Sequence, residues 1–126
     1  MKQENPDQLA KALELLAELK ERRGGNVGEM HRRIANDPLL LDAFTRQYIN
    51  CNKTSTHIPR KYRELIFMAI GCARGIPETV RDHGRLAQEH GATVEEIGEI
   101  LRIVFLVCGV SGLTLGAQLF DELPDV

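Results

Sequence analysis

An excess of charge of either sign is the first thing this sequence lacks. Its 126 residues carry 16 Lys plus Arg against 18 Asp plus Glu, a net charge of −2. That balance removes the electrostatic footprint of a nucleic-acid binder, so no nucleic-acid partner is expected. Cysteine is scarce. Cys51, Cys72 and Cys108 are odd in number and widely spaced, with no C-x-x-C and no zinc pattern, so they read as reduced, mostly buried thiols in a cytoplasmic protein. His31, His57 and His90 have no partner at three or four residues, which argues against a metal held by helix spacing. The glycines form no G-x-G-x-x-G or Walker pattern, so a nucleotide cofactor has no support. Long hydrophobic runs are missing too. The most apolar stretch, Ile103 to Ala117, covers about fifteen residues and contains Gly, Ser and Thr, too short for a membrane span. The opening MKQENPDQ is polar and acidic, unlike a secretory signal or a transit peptide.

What is present is the mix of a soluble globular protein, 43% hydrophobic and 27% charged. The length suits one domain spanning residues 1–126, with an N-terminal helix in 1–25 and a core region in 59–118. Every element reads as a helix, so the fold class expected is all-α. Asn5 and Pro6 open the first helix, with Gln8 reaching back as a capping box and Gly24-Gly25 ending it. Its apolar stripe is Leu9, Leu13, Leu16 and Leu19. A short helix is expected over Val27–Ala35. Asp37-Pro38 opens another through about Asn50, with Leu40, Leu41, Phe44, Tyr48 and Cys51 inward. The polar CNKTSTHI connection closes at Pro59. LIFMAIGCA, residues 65–73, is apolar on every face and predicts a buried helix, with a buried strand as the rival reading. A helix over Pro77–His90 follows. Thr93-x-x-Glu96 then opens a long helix running to Ala117, in which Gly109, Gly112 and Gly116 suggest close helix approach or a kink.

Two polar residues interrupt inward faces. His83 falls three and four residues from Val80, Leu86 and Ala87, on the inward stripe of its helix. It is either a core-edge histidine satisfied by one hydrogen bond or a proton-transfer group. Glu64 lies four residues before Met68 and eight before Cys72. It is either a first-turn glutamate favoured by the helix dipole or an inward carboxylate. Inward together, they form a possible acid–base pair. Arg81 and Arg85, at i and i+4 beside His83, and the RKYR run at 60–63 are solvated faces or holders of an anionic substrate. Cys72 and Cys108 read as inert buried thiols, with no cation or helix N-terminus to activate them.

RELIFMAIGCARG, RDHGRLAQEHGATVEEI and CGVSG, with DPLLLDAFTRQY upstream, resemble the carboxymuconolactone decarboxylase and AhpD-like alkylhydroperoxidase family. The peroxidase branch of that family carries Glu-x11-Cys-x2-Cys-x3-His. Here Glu64 and His83 match, while Ile76 and Thr79 occupy the cysteine positions, so dithiol peroxidase activity is not expected. The decarboxylase branch also lacks the cysteine pair. It has Gly-Val-Pro-Ala-Ala-Asn where this chain has Gly-Val-Ser-Gly-Leu-Thr, so Thr114 replaces the asparagine and the lactone substrate does not carry over. The resemblance implies an AhpD-like helical bundle that forms a homo-oligomer, a hexamer above all. It also implies a cofactor-free decarboxylase or related acid–base enzyme on a small aromatic-derived organic acid. His83 would be the general acid or base and Glu64 its orienting partner. Arg81 or Arg85 would hold a carboxylate, and Ile76 and Thr79 would meet the substrate. The alternatives are a non-catalytic binding module or a single-cysteine peroxidase built on Cys72.

Overall fold

Prolines and short polar side chains set the helix starts. In the computed structural model, which describes residues 1–54 and 57–126, the Asn5 side chain accepts from the backbone N–H groups of Asp7 and Gln8 and opens α1, Pro6–Arg22. The reciprocal half of that cap comes from upstream: the Asn5 N–H donates to the Gln3 side chain rather than to Gln8. Asp37 caps α3, Pro38–Ile49, in the same way through Leu39 and Leu40. Between them α2 is shorter than expected, Glu29–Ile34, because Gly28 stands outside it as the N-cap. All described regular structure is helical, as the sequence indicates.

The chain folds as two compact units, Met1–Thr56 and His57–Val126. The core of the first is Ala12, Leu15 and Leu19 of α1 against Ala35 and Leu41, with Phe44 and Tyr48 packed on it. This stripe is rotated from the expected one. Leu13 is exposed and Ala12 and Leu15 take the inward positions, in one cluster with Ala35 and Leu41. On α3 the inward residues are Pro38, Leu41 and Thr45, whereas Leu40 and Cys51 are exposed. Thr45 is satisfied by donating to the Leu41 carbonyl. After α3 the helix widens into a π segment, Asn50–Thr54. Of the expected polar connection, Ser55 and Thr56 lie outside the described residues.

The second unit is built on a helical hairpin. α4, Arg60–Arg74, ends at Gly75, whose φ of 68° lets the chain reverse while the Ile76 N–H returns to the Gly71 carbonyl. α5, Pro77–Glu89, then runs back along α4. Gly71 makes this pairing close: a Cβ there would stand 2.9 Å from Thr79 Cγ2 and 3.1 Å from Val80 Cγ2. LIFMAIGCA is helical but amphipathic rather than buried all round. Leu65, Met68, Gly71 and Cys72 face inward, and Ile66 and Ile70 face outward.

The expected long C-terminal helix is two helices, α6, Val94–Cys108, and α7, Val110–Ala117. Gly109 breaks it with φ 77° and ψ −168°, a conformation open essentially to glycine alone. The break folds α7 back so that Gly112 and Gly116 pack against Val104, Leu101 and Cys72. Leu65, Met68, Cys72, Val80, Ala87, Ile97, Leu101 and Val104 form the core of this unit. Among the described residues, no helix is long and apolar enough to cross a membrane.

Candidate active site

The hairpin register decides which polar side chains meet. Phe67 of α4 lies opposite His83 of α5, their ring centroids 4.6 Å apart and tilted by 33°. Glu64, nearly one turn before Phe67, therefore reaches the same imidazole: its Oε2 is 2.6 Å from His83 Nδ1. The carboxylate is buried, with 1% of its side chain exposed, whereas His83 is 30% exposed. Burying an ionised carboxylate costs several kcal/mol unless donors satisfy it. Glu64 has two, since Arg60 Nε donates to Oε1 from one turn earlier on α4. An ionised carboxylate only accepts, so a proton on Nδ1 fills this hydrogen bond, and Nε2 lies on the far edge of the ring.

A second ion pair fixes where α4 begins. Lys61 Nζ lies 2.7 Å from Glu96 Oε1, and Glu96 also closes the Thr93 capping box of α6 in both directions. Lys61 holds the Glu96 carboxyl below the usual carboxylate range, with the Thr93 backbone N–H adding to the effect. Arg60, next to Lys61, is thereby placed at the open end of the hairpin.

The other expected site residues are spread along α5. Thr79 is half-buried against Gly71, one turn before His83, and Ile76 is the exposed N-cap residue. Arg81 and Arg85 lie on the solvent side, paired with Asp82 and Glu89. The cation that reaches the Glu64–His83 pair is Arg60, from the RKYR run, and its spacing of four residues from Glu64 was the available signal. Cys72 is buried, and burial, with Cys108 nearby, pushes its thiol up, opposite to what a nucleophile needs. Among the described residues no group of three or more His, Cys, Asp or Glu could hold a metal ion.

An all-helical protein with a buried carboxylate clamped between a guanidinium and a half-exposed imidazole has the parts of a proton-transfer site. A family model described as the carboxymuconolactone decarboxylase family matches residues 38–122, two-thirds of the chain. The chain belongs to that family. Comparison with curated proteins gave no match. Comparison with solved structures gave none either.

Proposed function

We propose that this protein is a cofactor-free acid–base enzyme, a decarboxylase or close relative acting on a small organic acid, in which His83 transfers the proton and Glu64 orients it. The observation that carries this reading is the asymmetry of the pair. The Nδ1 end of the imidazole is anchored on a buried carboxylate, and the ring, packed on one face by Phe67, keeps a partly exposed edge. A purely structural pair gains nothing from leaving that edge accessible, whereas a proton-transfer group requires it.

The chemistry needs a substrate whose carboxylate is β to a carbonyl, directly or through an intervening conjugated double bond. Its C–C bond breaks, CO2 leaves, and the electron pair moves into the carbonyl system as an enolate. Protonated His83 then delivers its Nε2 proton to carbon, and solvent restores it. Glu64 stabilises the imidazolium through the Nδ1 hydrogen bond without itself moving a proton. The positions of Ile76 and Thr79 hold no thiol, so dithiol chemistry has no residues there. The same proposal places the protein in the cytoplasm as a homo-oligomer.

A panel of keto acids and carboxylated lactones, assayed for CO2 release, tests the reading. At least one acid should turn over, and His83→Ala should lower that rate by roughly 10²–10⁴-fold, the usual worth of a positioned general acid. Ligand-induced thermal shifts with no CO2 from any acid, or turnover undiminished in His83→Ala, would replace it with a binding role.

A further inference from the structure

The RKYR run is only partly absorbed by the proton-transfer pair. Lys61 is engaged by Glu96, but Arg60 spends just one donor, Nε, on Glu64, and its side chain is 47% exposed. A guanidinium has five N–H groups in a planar fork; one on Nη runs parallel to Nε–H, and the other three, including the end-on Nη1/Nη2 pair, point away from a partner bound through Nε. Arg60 Nε and His83 Nδ1 sit on the two oxygens of one carboxylate. Two such donors lie within roughly 7 Å of each other.

We infer that Arg60 is the carboxylate-recognition residue of this site: its Nε anchors on Glu64 while its Nη fork receives the anionic group of a small carboxylic acid beside His83. The inference rests on the proposed function for its catalytic meaning, though its binding test does not depend on turnover. Three features support it. The fork geometry matches a carboxylate bidentately, which a lysine ammonium does not. Anchoring through Nε immobilises the guanidinium before the ligand arrives, which lowers the ordering cost of binding. An anion on Arg60 also compensates the positive charge that His83 acquires with its second proton, so recognition and proton delivery reinforce each other. Arg81 and Arg85 are more exposed, and they are bonded to Asp82 and Glu89 rather than to the carboxylate that holds His83.

The assignment restricts the substrate. The anion meets Arg60 Nη and the proton leaves His83 Nε2, the outer atoms of two side chains joined through one carboxylate, so the separation between them is short and fixed. That suits a compact mono- or dicarboxylate and excludes long-chain acids recognised only at a distant end.

The test uses the full-length 15N-labelled protein, with benzoate as probe and benzamide as its uncharged counterpart. Benzoate should shift the His83 ring nitrogen and Arg60 Nε resonances saturably, and benzamide should not. Arg60→Gln should weaken benzoate at least tenfold, Arg60→Lys should recover part of the loss, and Arg22→Gln on α1 should leave binding unchanged. Arg60→Gln strips a buried carboxylate of its counter-charge and could fail to fold. The double variant Arg60→Gln/Glu64→Gln removes that orphan charge and should bind benzoate as weakly. The assignment falls if wild-type protein gives no saturable shift, if benzamide binds as well as benzoate, or if the loss follows Arg81→Gln or Arg85→Gln instead. Arg60-dependent benzoate binding with no acid decarboxylated would leave the recognition residue standing and remove the proton-transfer reading. Turnover with KM unchanged in Arg60→Gln would do the reverse.

Discussion

Two buried side chains solve opposite charge problems. Glu64 is buried with Arg60 and His83 donating to its two oxygens, whereas His31 is buried with its Nδ1 accepting the Gly28 N–H and its ring edge-on against Phe44. Burial, followed by the Arg23 guanidinium, lowers the His31 pKa below its ordinary 6.5. The sign of the pH effect follows. Below about pH 6.5 the unfolded chain takes up a proton that the folded one refuses, so stability is full above that value and declines as pH falls toward the depressed folded one. Wild-type protein should therefore lose more stability than His31→Gln between about pH 7.5 and 5.5 in parallel denaturant melts. Equal losses would remove His31 as the cause. Glu64 and His83 are legible in the sequence because each places a polar residue in an otherwise apolar stripe. Arg60 and Phe67 are less so, since a spacing of four residues occurs many times on any charged helix and only the register of α4 against α5 selects one.

Helix starts are written locally, and so they are readable: Asn5-Pro6, Asp37-Pro38 and Thr93-x-x-Glu96 each act within one turn. Which face turns inward is not local. Leu13, Ile66 and Ile70 are as apolar as their buried neighbours, and on α4 the small residue Gly71 marks the inward face by letting α5 approach. The break at Gly109 is hidden for a related reason, since the apolar pattern continues across it. Gly71 also permits a direct test of the hairpin. Gly71→Ala gains about 0.5–1 kcal/mol of helix preference, but its methyl meets the stiff branched side chains of Thr79 and Val80, and overpacking costs about 1–3 kcal/mol. The net expectation is a loss centred on about 1 kcal/mol in urea denaturation. The wider helix spacing should also weaken the 2.6 Å Glu64–His83 contact. A variant as stable as the wild type would show that the hairpin has slack.

For the molecule as a whole, the outer side of α6 and the start of α7 leave Ile103, Leu106, Val107 and Val110 exposed, Leu106 by 84%. Apolar surface of this kind is unusual on a chain that stays alone in water. As proposed, it is covered by further copies of the chain. Light scattering should give a multiple of the 14.1 kDa chain mass, and Leu106→Asp should reduce it. A monomeric wild type at micromolar concentration would refute the assembly. The packing of α7 has one more consequence. Gly116 sits so close to Cys72 that a Cβ there would be 3.2 Å from the sulfur, so an alkylating reagent reaches this thiol only when α7 lifts away. Cys72 should react at the rate of an unstructured thiol peptide multiplied by the fraction of time the last helix is open. The ratio of its iodoacetamide rate to that of the peptide is then an opening equilibrium constant, and the protein carries its own stopwatch for the breathing of its C-terminal helix.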